Sequence, residues 1–213
     1  MTVASTTTST APGTPPAAPA DTARLEFPRG AQRLTVRVDA GMSTLYRACF
    51  GGPRPRVHEA GRTVTIDYPR LAPSGWPSLS RRTAEIELNP FVAWDLALAG
   101  VSRMQADLRG LELHSLEVSG GASDLDLVLP APRGVVPVRI GGGARAVTLR
   151  RAGDAAARLH VGGGASRLAF DEQHLGAVGG GIRLQSRDAD RAADRYEIEV
   201  EGGASRLIVA RVD

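Results

Sequence analysis

The sequence predicts an all-β fold, a right-handed β-solenoid (β-helix-like) of about nine coils with a period of ~20 residues. Three observations carry this expectation. A glycine-rich motif recurs at a near-constant interval. Short apolar/polar alternations flank each copy, the period-2 mark of half-buried strands. Hydrophobic residues make up 42% of the chain but aromatic ones only 4%, so the core is to be built from Leu, Val, Ile and Ala, which stack well in repeated layers.

Taken in order, the Thr/Ala/Pro-rich stretch 1–23 has almost nothing to bury and is expected to be a disordered tail, with one solenoid domain over 24–213. Leu34, Val36 and Val38 alternate with Thr35, Arg37 and Asp39 as a strand, running into Gly41-Met42-Ser43-Thr44-Leu45, a degenerate copy of the motif. Further copies are expected at Gly61-Arg62-Thr63-Val64, at Arg81 to Leu88 and at Gly100-Val101-Ser102-Arg103-Met104. The stretch 51–94 keeps the period with longer, Pro-rich loops and holds both tryptophans, Trp76 and Trp94, which makes it a candidate for a specialised surface.

The clearest copies follow: Gly120-Gly121-Ala122-Ser123-Asp124-Leu125, Gly142-Gly143-Ala144-Arg145-Ala146-Val147, Gly163-Gly164-Ala165-Ser166-Arg167-Leu168 and Gly202-Gly203-Ala204-Ser205-Arg206-Leu207. The spacings of Gly121, Gly143, Gly164 and Gly203 are 22, 21 and 39 residues, the last close to two periods, and Gly180-Gly181-Ile182-Arg183-Leu184 is expected to fill the gap. Strands precede the glycines (Val136, Val138, Ile140; Tyr196, Ile198, Val200) and follow them (Leu125, Leu127, Leu129; Leu207, Val209). The glycines therefore read as the corner of a coil, where the backbone needs positive φ or has no room for a Cβ.

These rungs, with Val136-Pro137-Val138-Arg139-Ile140 and Arg195-Tyr196-Glu197-Ile198-Glu199-Val200, resemble the glycine-rich β-solenoids of the toast-rack and adhesin type, which include the C-terminal domain of LiaF-type cell-envelope stress proteins. The resemblance covers residues 95–210 well and 34–94 loosely. It implies a fold rather than an activity and supplies no catalytic residues. Relatives of that kind are tethered to membranes by helices, whereas no apolar run in this chain approaches the roughly 20 residues needed to cross a bilayer.

The 26 basic residues are all arginine, as a GC-rich coding bias would produce, and against 23 acidic residues they leave a net charge of +3. That is too small a field for a general nucleic-acid binder, and no aromatic residues interleave with the arginines to stack bases, so no specific nucleic-acid partner is expected. The single cysteine, Cys49, forms no internal disulfide, and residues 1–20 lack the basic and apolar regions of a secretory signal, which together point to a cytoplasmic location.

The aligned position after the serine column holds Arg103, Asp124, Ala146, Arg167, Arg183 and Arg206, so Arg103, Arg167, Arg183 and Arg206 are candidates for a cationic ladder able to hold an anionic polymer, and the expected partner is a protein or an anionic polymer. Asp171, Glu201 or water would relieve its self-repulsion. Ser43, Ser102, Ser123, Ser166 and Ser205 align as a column of hydroxyls bonding backbone and one another, not as nucleophiles, because His58, His114, His160 and His174 fall at unrelated phases. His174 beside Asp171 and Glu172 is the best metal candidate and is read as solvated, so no metal or other cofactor is expected. The function that follows is a non-catalytic scaffold or binding module. The alternative, a carbohydrate-active β-helix enzyme on an anionic polysaccharide, needs acids on one face, and only Asp124 and Asp126 are in phase. The last strand, Leu207 to Ala210, has no capping helix and is expected to self-associate through the C-terminal coil.

Overall fold

The computed structural model describes residues 22–68 and 82–212; the expected tail lies outside them except for Thr22 and Ala23, as does Trp76. Eighteen strands and no helix are found among the described residues, arranged as two nine-stranded sheets. Seven pairs of consecutive strands form the rungs, the first of each pair in sheet A and the second in sheet B. They are β1 (Thr22–Arg29) with β2 (Arg33–Val38), β5 (Thr63–Asp67) with β6 (Thr83–Leu88), and β7 (Ala93–Ala99) with β8 (Arg103–Asp107). Then come β9 (Glu112–Ser119) with β10 (Ala122–Leu129), β11 (Val135–Ile140) with β12 (Ala144–Ala152), β13 (Ala156–Val161) with β14 (Ala165–Phe170), and β17 (Arg195–Val200) with β18 (Ala204–Val212). All rung-to-rung contacts are parallel. Parallel strands need a crossover connection, and here each crossover is the strand of the opposite sheet, which removes any need for helices.

Two return segments close the ends. β3 (Tyr46–Gly51) and β4 (Arg56–Ala60) lie antiparallel on β6 and β5, and β15 (Gln173–Val178) and β16 (Ile182–Gln185) lie antiparallel on β14 and β13. Nine levels at ~4.8 Å make a stack about 40 Å long. Its order differs from the order of the chain: sheet B runs β15-β14-β18-β12-β10-β8-β2-β6-β3, so the β1/β2 rung stands third from one end and the last rung is inserted between β12 and β14.

Three expectations change accordingly. The C-terminal strand β18 is hydrogen-bonded on both sides, so the C-terminal coil offers no open edge for self-association. Gly41 to Leu45 is a bend between β2 and β3 and not a rung. Gly181-Ile182 opens an antiparallel end strand in sheet A, which explains its short spacing.

Between the sheets, equivalent residues stack in columns. One column on sheet B runs Leu34, Met104, Leu125, Val147, Leu207, Leu168, and its counterpart on sheet A runs Val64, Leu25, Leu96, Leu116, Val138, Ile198, Leu159, all buried. Each such side chain contributes about 1.5–3 kcal/mol by leaving water. Trp94 is fully buried on β7 with its Nε1 donating to the Asn89 carbonyl at 3.0 Å, so it belongs to the core and not to a specialised loop.

The glycine corners joining sheet A to sheet B lie on top of one another. Gly142 has φ +75°, and a Cβ on it would come within 2.7 Å of the Gly121 nitrogen. Gly202 has no unusual φ, but a Cβ there would lie 2.0 Å from the Gly142 carbonyl oxygen, so close approach alone excludes a side chain.

Candidate arginine column at the glycine corner

Just after each corner the strict in/out alternation breaks. Ala165 and Leu168 are buried with Ser166 and Arg167 both exposed between them, and Ala204-Ser205-Arg206-Leu207, Val101-Ser102-Arg103-Met104 and Ala31-Gln32-Arg33-Leu34 repeat the pattern. The Ser102 carbonyl accepts both the Ser123 and Asp124 N–H groups at 2.9 Å, two consecutive donors on one acceptor, which marks a β-bulge. Where it repeats, the extra residue sends two neighbouring side chains outward per level; at β12 Arg145 alone is exposed and Ala146 is buried.

The two resulting columns follow the stacking order of sheet B. The first reads Gln32, Ser102, Ser123, Arg145, Ser205, Ser166, and the second Arg33, Arg103, Asp124, Ala146, Arg206, Arg167. Five arginines and one aspartate thus line a strip six rungs long, about 24 Å. Within it Asp124 sits between Arg145, at 2.6 Å, and Arg103, at 3.8 Å. Arg33 and Arg103 are direct cross-strand neighbours beside a 370 Å³ hollow that also includes Ser102, Ser123 and Arg145. Arg206 and Arg167 are level with each other, bracketed by the pairs Ala165/Ala204 and Leu168/Leu207, and neither has a carboxylate partner among the described residues. The open groove beside them, lined by Arg145, Ser166, Ser205 and the glycine backbone, measures 730 Å³.

Of the four arginines expected as a ladder, Arg103, Arg167 and Arg206 share this column, although Asp124 and Ala146 separate Arg103 from the other two. Arg183 does not belong to it. It lies on β16 of sheet A, level with His160, where it lines a 460 Å³ groove with Arg139, Arg158, Glu197 and Glu199. Two members escape the sequence reading. Arg145 occupies a serine position, and Arg33 sits in a rung whose corner is Pro28-Arg29-Gly30 and lacks the doubled glycine. The bulge is the signal that finds both.

Asp171 does not relieve the column's repulsion. Its carboxylate accepts from the fully buried Arg151 and stands 3.6 Å from Arg211, and its φ of +52° turns the chain at that point. Arg151 also donates to the Ala155 carbonyl and stacks 5.5 Å above the Phe170 ring, a structural role. His174 faces the Glu172 backbone carbonyl at 3.2 Å while Asp171 is engaged elsewhere, so the three do not converge. The column serines Ser102, Ser123, Ser166 and Ser205 are all exposed, and among the described residues no hydrogen bond joins their hydroxyls to one another; Ser43 lies in the bend before β3.

These features define a two-sheet β-solenoid with a stacked glycine corner and a cationic strip beside it. Residues 56–150, from β4 into β12, match the model of the N-terminal domain of toast_rack, DUF2154. The fold is also that of a crystal structure of a candidate cell adhesion protein from Clostridium sporogenes, with a TM-score of 0.71 over 91% of this chain and 94% of that one at 18% identity. No curated protein matches the chain. Among the described residues no helix is long and apolar enough to cross a membrane.

Proposed function

We propose that this chain is a non-catalytic, adhesin-like binding module that holds an anionic polymer along the glycine corner of sheet B. One observation carries the reading: Arg167 and Arg206 stand side by side and exposed, with no carboxylate partner among the described residues, in line with Arg145, Arg103 and Arg33. Like charges placed directly opposite on adjacent strands cost stability. A polymer with regularly spaced carboxylates or sulfates offsets that cost and receives planar, two-pronged guanidinium contacts at each rung. The shared fold with a candidate cell adhesion protein supports a binding role.

A carbohydrate-active enzyme is the weaker reading. The two acids it would use are engaged: Asp124 with Arg145, and Asp126 with Arg150 at 2.7 Å. A carboxylate already paired with arginine is not free to meet a sugar ring.

Retention of the protein on heparin and on poly-glutamate, eluted with salt, tests the proposal. Retention that falls steeply with ionic strength and is lost in Arg167→Ala/Arg206→Ala is expected. Equal elution of wild type and variant rejects the column as the site.

A further inference from the structure

The stack ends differently on its two sides. At the β15/β16 end the edges are blunted: β15 pairs with register shifts around Gly176, whose φ is +62°, and β16 has only four residues. At the other end β3 keeps a regular antiparallel register with β6 over all six residues, and β4 does so with β5 over five. Among the described residues neither strand has a further neighbour in its sheet.

Which groups of β3 face the open side can be read from its partner. The Asn89 N–H donates to the Leu45 carbonyl at 3.1 Å, so Leu45, Arg47, Cys49 and Gly51 turn their backbone polar groups towards β6. Tyr46, Ala48 and Phe50 turn theirs outward, and the Thr44 hydroxyl, 3.2 Å from the Tyr46 carbonyl, agrees with this. The side chains of Tyr46, Ala48 and Phe50 point between the sheets and, with Leu45 and Val57, line a 740 Å³ opening onto the end of the core. Glu59, the carboxylate at this mouth, accepts the Tyr46 hydroxyl at 2.6 Å.

We propose that this end is a self-association interface, in which a second copy of the chain continues both sheets across a two-fold axis normal to them. β3 pairs antiparallel with β3 of the partner subunit, and β4 with its β4. The end presents two strand edges, one per sheet, at the ~10 Å separation of packed sheets, and an occupant covering both needs two strands at that same separation. Another copy has them. The β3 edge is also self-complementary: with Ala48 opposite Ala48 of the partner subunit, Tyr46 faces the partner's Phe50 and Arg47 faces the partner's Cys49. Three hydrogen-bonded pairs at two bonds each give about six bonds between subunits. No uncompensated like charges meet, since Arg47 is held at 2.8 Å by Glu87 of its own chain.

Analytical ultracentrifugation of the full chain across a concentration series tests this. Wild type is expected to dimerise. Ala48→Pro removes an N–H that faces the open edge and leaves every β6 bond in place, so it is expected to keep the wild-type circular dichroism and raise the dissociation constant on the order of 100-fold. Arg47→Cys, read by non-reducing electrophoresis after mild oxidation, covers the case in which the proline variant does not fold: it places a new thiol opposite Cys49 of the partner subunit and is expected to cross-link. A wild type that stays monomeric at millimolar concentration, leaving the edge to a strand of another protein, overturns the proposal. So does a folded Ala48→Pro variant with unchanged dimerisation, or an Arg47→Cys protein that stays uncrosslinked.

Discussion

The outer face of sheet A and the glycine corner of sheet B are built from the same rungs and the same arginine-rich composition, yet they handle charge in opposite ways. On sheet A the arginines alternate with acids: Glu197 lies 2.8 Å from Arg195 and 3.2 Å from Arg158, Glu199 lies 3.7 Å from Arg139, and Asp190 lies 2.8 Å from Arg158. The hydrogen bonds from Arg158 and then Gln185 hold the Asp190 carboxyl below its usual range. At the corner, Asp124 is the one acid in the column, and Arg167 and Arg206, beyond Ala146, are left together. A coding bias towards arginine would leave both faces alike. Compensation is therefore available to this fold, and among the described residues it is absent at Arg167 and Arg206.

The largest effect that separates the two regions comes from the corner itself. Gly202→Ala forces a Cβ against the Gly142 carbonyl, and a loss of about 3 kcal/mol is expected, read as a drop in Tm together with loss of polymer binding. Arg206→Glu works in the other direction on stability. It places an acid beside Arg167 and is expected to stabilise the fold by a few tenths of a kcal/mol while weakening heparin binding at least tenfold, measured by denaturation and titration on the same preparation. The counterpart on sheet A, Glu199→Gln, is expected to cost under about 1 kcal/mol, since its pairs are exposed, and to leave heparin binding unchanged.

A smaller effect probes the β3/β4 end. Burial first, then the hydrogen bond and charge of Glu59, push the Tyr46 hydroxyl up to about 12. Because the folded pKa lies above the unfolded value near 10, the unfolded chain loses its proton first, so this group's contribution to stability falls as pH rises from 10 towards 12. Glu59→Gln is expected to lower one tyrosine midpoint in a phenolate absorbance titration without reaching 10, because the burial contribution remains.

Much of the fold was legible in the sequence because its determinants are local. Alternation such as Val136, Val138, Ile140 fixes an inner and an outer face, and glycine pairs such as Gly142-Gly143 fix the corner. The order of stacking was not legible. Leu25, Leu116 and Ile198 present equivalent aliphatic edges, so nothing in their pattern says that β1 lies between β5 and β7, or that β17 enters between β11 and β13. That order decides the site. It removes Arg183 from the column, brings Arg206 beside Arg167 across 39 residues of chain, and buries the strand at the C-terminus. Arg33 and Arg145 were hidden for a different reason: a bulge shifts two positions outward, and a residue-type column of serines does not reveal the arginine that stands in it.

Arg167 and Arg206 on sheet B are the proposed contact for the polymer, and one titration tests them. A heparin fragment of defined length is added at low salt to wild type, to Arg167→Glu/Arg206→Glu, and to Arg139→Glu/Arg158→Glu on sheet A, all checked for equal folding. Saturable binding by wild type and by the sheet A variant within about threefold of each other is expected, with at least a tenfold loss for the corner variant. Equal loss in both variants, or none in either, would contradict the proposal.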